Sequence, residues 1–319
     1  MHRILIVGCG DIALRVAKLL GARHPLYALL RSPARFAEVR AAGIVPLHGD
    51  LDQRASLHRL TGLAHTVLHF APPPAAEACA GSAAPSDTRT RHLLAALSQG
   101  RLPRHLIYIS TSGVYGDCGG AVVEESRPLH AQTARAQLRV SAEQQIRSWA
   151  RRNGVQASIL RVPGIYAAER LPLERIKKGT AAIADAEDGY TNHIHADDLA
   201  RCVLAASKHG TANRIYHTVD DSGMKMGAYF DAVADAFNLP HPPRVTRAEA
   251  QHVLSPMLLS FMNESRRLSN RRMKQELHVK LRYPTVATTL KEISPRCLSV
   301  SAAPASALPH QMQLSLPLS

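Results

Sequence analysis

The sequence predicts a doubly wound α/β fold with a parallel sheet, and three observations carry that prediction. Over the first 160 residues, short apolar runs alternate with longer helical patterns, the rhythm of βαβ units. Those runs are almost wholly apolar, as strands covered on both faces must be. The first of them, Ile4 to Val7, leads through Gly8-Cys9-Gly10 straight into a helical pattern.

Each element follows in order. Ile4–Val7 reads as a strand, Asp11–Leu20 as a helix, Leu26–Leu30 as a strand and Ala34–Ala42 as a helix. Ile44–Leu47 is again a strand, followed by a helix around Gln53–Leu60, the strand Thr66–Phe70 and the helix Thr88–Ser98. His105–Ser110, Thr133–Arg152 and Gln156–Arg161 complete the alternation as strand, helix and strand. Beyond Pro163 the rhythm loosens, through an irregular segment and helix at Ile165–Gly179 to a helix at Asp197–Ser207. A strand at Ile215–Val219 and helices near Met226–Phe237 and Arg247–Leu254 follow. The expected organisation is a dinucleotide-binding domain over 1–162 and a smaller substrate-side lobe over 163–298, partly interleaved with it. Residues 299–319, rich in Ser, Ala, Pro and Leu without charge or period, are expected to be a disordered tail.

Composition narrows the function classes. The chain of 319 residues is 45% hydrophobic, 20% charged and 4% aromatic, which excludes collagen, coiled coil and disulfide scaffold. No apolar run is long enough for a membrane span or a signal-peptide core, so no membrane partner and a cytoplasmic location are expected. Cys9, Cys79, Cys118, Cys202 and Cys297 form no CxxC pair, and reduced thiols are expected. The net charge of +14 raises nucleic-acid binding. Half of that excess sits in residues 241–319, which hold 11 Lys and Arg against 4 Asp and Glu with no interleaved aromatic platform, so no nucleic-acid partner is expected.

The strand, Gly-x-Gly-x-x-Ala and helix at the start form a dinucleotide-binding turn. Gly8 permits the tight turn, Gly10 lets the backbone approach a pyrophosphate, and Ala13 lets the helix pack closely. The helix start at Asp11 and Ile12 supplies free N–H groups and a positive dipole end. A glycine turn serving only packing is the alternative. About 20 residues on, an acidic side chain would hold an NAD ribose and an arginine the 2′-phosphate of NADP. Here the second strand ends at Leu30-Arg31-Ser32, with Arg35 a turn beyond and no Asp or Glu at hand. NADP is therefore the expected cofactor, with NAD as the alternative, unless the two arginines are simply solvated.

Over residues 2–293 the chain resembles the extended branch of the short-chain dehydrogenase/reductase superfamily, the NAD(P)-dependent epimerase/dehydratase group. Five landmarks carry the resemblance: Gly49-Asp50-Leu51, His69-Phe70-Ala71-Pro72, Thr111-Ser112-Gly113-Val114-Tyr115-Gly116, Arg161-Val162-Pro163-Gly164-Ile165-Tyr166 and Asn192-His193-Ile194-His195-Ala196-Asp197-Asp198. It implies that Asp50 and Leu51 contact the adenine, that Phe70, Ala71 and Pro72 lie along the cofactor, and that Pro163 sits beside the nicotinamide. It also implies a Tyr-x-x-x-Lys pair on the next helix, the tyrosine for proton transfer and the lysine for the ribose. Aligned on Glu143, those positions hold Arg135 and Arg139.

An arginine stays protonated at any accessible pH, so Arg135 cannot serve as a proton shuttle. Arg139 can still hold ribose hydroxyls, because that role needs donors and charge rather than titration. Thr111, at the family's Ser/Thr position, can bind a substrate oxygen. The competing view of Arg135, Arg139 and Glu143 is a solvated helix face with i,i+4 charge pairs.

For the other groups only position speaks. Tyr115 is expected to pack at the strand end and Tyr108 in the core, while Tyr166 and His130 border the expected pocket as proton-transfer candidates. His193 and His195 lack a third ligand at sensible spacing, so no metal is expected; Asp197 or its neighbour is expected to cap the following helix. The basic cluster Arg266-Arg267 and Arg271-Arg272-Lys274 is expected on a helix, either as a surface of the second lobe or facing an acidic substrate or cofactor phosphates.

Two functions follow. One is an NADP-preferring oxidoreductase, epimerase or dehydratase on a small oxygenated substrate, with a homodimer as an open expectation. The other is a dinucleotide-binding sensor or scaffold that lost the tyrosine.

Overall fold

The apolar runs at Ile4–Val7 (β1), Leu26–Leu30 (β2), Ile44–His48 (β3), Thr66–His69 (β4) and His105–Thr111 (β5) join one sheet with two later strands, Gln156–Val162 (β7) and Arg214–His217 (β11). The computed structural model describes residues 2–75 and 85–294. Its spatial strand order is β11-β7-β5-β4-β1-β2-β3, with every neighbouring pair parallel. The chain reverses direction of growth between β1 and β4, so the connections leaving those two strands diverge and open a crevice at their C-terminal ends.

Side chains alternate between the two faces. Ile4 and Ile6 of β1 join a core shared with the helices Asp11–Leu20 (α1) and Ala196–His209 (α6). Leu5 and Val7 join the opposite core, shared with Thr88–Leu97 (α3) and Ala134–Asn153 (α4). Helices on both faces explain why the strands carry no polar stripe. This is the doubly wound sheet expected from the sequence.

Two expected helices are shorter than their sequence pattern. Residues 34–42 form a 3₁₀ turn at Pro33–Arg35 and then a helix at Phe36–Ala41 (α2), because the proline sets the first turn and removes a donor. The Gln53–Leu60 helix is a 3₁₀ segment, Arg54–Leu60, that buries Leu57 and Leu60.

Three two-stranded ribbons lie outside the main sheet: Val122–Val123 (β6) with Arg267–Leu268 (β13), Gly164–Tyr166 (β8) with His193–His195 (β10), and Ala182–Ile183 (β9) with Arg244–Val245 (β12). Around them Leu173–Lys177 (α5), Met226–Ala236 (α7), Arg247–Val253 (α8), Pro256–Met262 (α9) and Val286–Ile293 (α11) enclose a separate core that includes Tyr166, Ile183, Phe230 and Val286. The helix Arg271–Glu276 (α10) returns to the first core through Met273. Arg267 therefore stands in a strand rather than on the helix expected for the basic cluster, since its backbone pairs with Val122.

Cys9, Cys118 and Cys202 are free thiols, whereas Cys79, Cys297 and the tail from 299 onward lie outside the described residues. Among the described residues no helix is long and apolar enough to cross a membrane.

Candidate functional site

The turn after β1 is shaped by two glycines with different constraints. Gly8 has φ +93°, and a Cβ there would lie 2.4 Å from the backbone nitrogen of Ala71. It is glycine because the chain leaving β4 crosses it closely. A Cβ on Gly10 would meet nothing within 4 Å. Gly10 begins α1 without a side-chain cap, so open space faces the uncapped N–H groups at the start of the helix. Ala13 is buried beneath them. The Asp11 carboxylate is taken up by Arg15 (2.8 Å) and Arg170 (3.2 Å), which leaves its backbone N–H as the group available to a ligand.

Beside this turn a cavity of about 290 Å³ is lined by Gly8, Arg31, Asp50, Leu51, Ala71 and Pro72. Residues singled out from four separate stretches of sequence thus meet at the strand-order reversal. Phe70 lies outside the lining and packs on the core beneath. Arg31 is exposed and makes no direct hydrogen bond or ion pair among the described residues. Arg35 is engaged: its Nη1 donates to the Cys9 carbonyl (2.7 Å), and its Nε and Nη2 donate to the Glu38 carboxylate (2.9 and 2.8 Å). Arg89 of α3 also lines the cavity, held by Asp52 at 2.6 Å. Nothing in its sequence spacing points to that place.

A second cavity, of about 410 Å³, opens at the ends of β5 and β7 and contains Thr111, Arg135, Pro163, His193, Glu264 and Arg266 among its lining residues. The Thr111 Oγ1 accepts a hydrogen bond from the Gly113 N–H (3.2 Å) and so caps the short turn after β5. That oxygen and the Glu264 Oε2 lie 3.6 and 3.8 Å from the point where a Gly113 side chain would begin. The absence of a side chain at Gly113 therefore leaves both the Thr111 hydroxyl and the Glu264 carboxylate uncovered at the cavity wall. The His193 ring packs on Tyr229 at 4.2 Å, and its Nδ1 is buried without a hydrogen-bond partner among the described residues. Burial pushes that imidazole down to about 4, so it is neutral at pH 7.

The helix α4 places its arginines differently from one another. Arg135 reaches the cavity and lies over the Phe261 ring at 4.3 Å. Arg139 turns to β5, where its Nη1 donates to the Tyr108 hydroxyl (3.0 Å) and the Ile109 carbonyl (2.8 Å). Its Nε and Nη2 have no hydrogen bond among the described residues. The solvated i,i+4 ladder is overturned at Glu143, which is buried and paired with Arg161 of β7 at 2.7 Å.

The remaining tyrosines and histidines fall into structural places. Tyr115 is buried, its hydroxyl 2.6 Å from both the Arg161 Nη1 and the His217 Nε2, and burial pushes it up to about 12. Tyr108 is likewise buried and pushed up to about 12. Tyr166 sits in the lobe core, with the His193 and His195 rings against it and the Thr289 hydroxyl donating at 3.3 Å. His130 is exposed and outside the cavity lining. His195 is the neighbour that caps α6, its Nδ1 accepting from the Asp197 N–H at 3.2 Å. Asp197 instead pairs with Arg15 from the first turn of α6.

Arg266 is where sequence reasoning left its choice open. It is buried, with Nη1 on the Gly116 carbonyl and Nη2 on Glu264 (both 2.8 Å), and it lines the second cavity. Glu264 and Arg175, also in that lining, carried no sequence signal.

Residues 4–218 match the sequence profile described as the NAD dependent epimerase/dehydratase family. An uncharacterized protein of Schizosaccharomyces pombe is 26% identical over 305 residues, covering 90% of this chain and 98% of its own length. Among solved structures, a functionally unknown conserved protein from Silicibacter pomeroyi is similar with a TM-score of 0.74 at 27% identity, covering 92% of this chain and 98% of that one. A UDP-glucose 4-epimerase from Thermotoga maritima, solved with UDP-glucose, shares the fold with a TM-score of 0.74 at 16% identity, over 94% of this chain and 100% of that one. A dTDP-glucose 4,6-dehydratase from Streptomyces venezuelae, solved with NAD, shares it with a TM-score of 0.68 at 19% identity, over 93% of this chain and 98% of that one.

Proposed function

The chain belongs to the NAD dependent epimerase/dehydratase family, and we propose that it is an NADP-preferring oxidoreductase, epimerase or dehydratase acting on a small oxygenated substrate in the cavity beside Thr111. The observation that carries this reading is the pairing of two cavities at the C-terminal edge of one sheet, one at the glycine turn and one at the end of β5. The residues at the first fit a dinucleotide: open space over Gly10, uncapped N–H groups at the start of α1, and Arg31, exposed and without a direct hydrogen bond or ion pair among the described residues.

In this reading the N–H groups of Asp11 and Ile12 hold the pyrophosphate, Gly10 lets the backbone approach it, and Gly8 keeps the turn tight, its carbonyl accepting from the Gly10 N–H at 3.1 Å. Arg31 holds the 2′-phosphate of NADP, and Arg35 stiffens the turn through Cys9 while adding its charge. Asp50 and Leu51 border the adenine, while Phe70, Ala71 and Pro72 back the cofactor. Arg139 offers its free nitrogens to the ribose, and Pro163 walls the nicotinamide. The bound dinucleotide supplies or accepts a hydride. Thr111 donates to the substrate oxygen that gains or loses charge, and Arg135, permanently charged, orients the substrate without moving a proton.

The direct test is a turnover screen in two arms: loss of NADPH absorbance with aldehydes and ketones, and product formation by chromatography from nucleotide sugars with NADP+ or NAD+, since an epimerase or dehydratase returns its hydride and leaves the absorbance unchanged. The reading expects either oxidation of NADPH or conversion of a nucleotide sugar with at least one class, abolished by Thr111→Val. Tight NADPH binding with no turnover across the screen favours the second reading, a dinucleotide sensor or scaffold, for which Arg135 at the tyrosine position is the supporting observation.

A further inference from the structure

The cavity beside Thr111 carries uncompensated positive charge. Arg135, Arg175 and Arg266 line it against one carboxylate, Glu264, which is already paired with Arg266 at 2.8 Å. Each of the other two guanidinium groups is laid on a phenylalanine that lines the same cavity. Arg135 lies 4.3 Å over Phe261 and Arg175 lies 4.5 Å over Phe230. Neither makes an ion pair among the described residues. Among the described residues Arg175 donates once, from Nη2 to the Ala181 carbonyl at 2.6 Å, and its Nε is buried without a hydrogen-bond partner. Burial alone lowers its affinity for a proton, with no carboxylate to oppose the effect.

A guanidinium stacked on an aromatic ring keeps its planar N–H edge free for an acceptor with two oxygens. Arg175 is partly buried without a counter-charge, which is costly, and an anionic ligand offsets that cost; Arg135 is exposed and contributes its charge and N–H edge at the cavity mouth. Beyond the two phenylalanines the adjoining wall is apolar, formed by Met226, Leu258 and Met262. That wall suits a hydrocarbon body, while Ser112, Thr133, Thr191 and Asn192 line the cavity elsewhere.

We propose that this cavity binds an organic oxyanion, a carboxylate or a phosphate ester with a short apolar body, gripped by Arg135 and Arg175 and packed against Phe261 and Phe230. The position where the family resemblance implies a proton-donating tyrosine thus holds an anchor for substrate charge. The inference rests on the reading of this cavity as the substrate site and deepens it.

The test is calorimetric titration of the full chain, with and without NADPH, using butyrate, butyl phosphate and neutral butyramide as probes. At least one of the two anions binds saturably and butyramide does not; which anion wins identifies the carboxylate or the phosphate ester as the favoured group. Arg135→Met and Arg175→Lys each weaken anion binding by about tenfold or more. NADPH affinity stays unchanged in both variants, which also shows that they are folded. The proposal is overturned if neither anion binds, if butyramide binds as well as the anions, or if both variants bind them like the parent. Loss of NADPH binding with anion binding intact would instead remove the dinucleotide reading and leave this one standing.

Discussion

Glu143 of α4 and Arg161 of β7 form an ion pair 2.7 Å long, with each side chain only 2% exposed. Ser110 donates to the same carboxylate at 2.6 Å and Arg161 also donates to the Tyr115 hydroxyl, so both charges are paired and hydrogen-bonded in the interior. This tie fixes the helix carrying Arg135 and Arg139 against the strand ends that border the cavity.

Removing one partner strands the other charge in the core. Glu143→Ala is expected to cost about 3–5 kcal/mol, read as a fall in the urea midpoint. Replacing both, Glu143→Leu with Arg161→Met, is expected to recover most of that loss. A loss below about 1 kcal/mol in the single variant, typical of an exposed pair, would contradict the interior role.

The two glycines of the first turn are expected to differ in stability: one substitution is costly and the other nearly neutral. Gly8→Ala meets the Ala71 backbone at φ +93° and loses more than about 2 kcal/mol. Gly10→Ala points into open space and stays within about 0.5 kcal/mol of the parent. Equal losses in thermal or urea melts would mean that the turn's geometry differs from the one described.

Cofactor choice is read at the end of β2. Arg31→Asp is expected to weaken NADPH more than NADH, because it removes an exposed positive charge and puts a carboxylate near the 2′ position. Parallel titrations of the two cofactors measure this, and equal losses would show that Arg31 does not read the 2′-phosphate.

Three buried histidines predict acid sensitivity. Burial pushes His69 and His217 down to about 3 and His193 down to about 4, from an ordinary value of 6.5. Below pH 6.5 the unfolded chain gains protons that the native state refuses, so stability falls as pH drops through that window toward about 3. Asp220, pushed up to about 7, acts in the opposite sense between about 4 and 7, but as one group against three. Urea midpoints measured from pH 7.5 to pH 4 test the slope; His217→Gln makes it shallower, and a flat profile would mean that these imidazoles are not neutral in the fold.

The sheet and the dinucleotide turn were legible because their signals are local: an apolar run, two glycines and a helix start stand within ten residues. The crevice residues Arg31, Asp50 and Ala71 were legible because parallel strands deliver each strand end to the same edge. Glu143 was not, because α4 is polar over most of its length and its partner lies in a later strand. Glu264 and Arg175 were missed for the same reason: they come from the lobe, where no periodic signal says which side chains turn toward the sheet. His195 hid its role by capping α6 with a ring nitrogen rather than with a carboxylate or hydroxyl.

The most direct measurement of the central claim is fluorescence titration of the purified chain with NADPH and NADH, alongside Gly10→Glu. The account predicts that the parent binds NADPH more tightly than NADH and that Gly10→Glu, still folded, binds neither, because its carboxylate fills the pyrophosphate site. Absence of binding to the parent, or unchanged binding to Gly10→Glu, would contradict it.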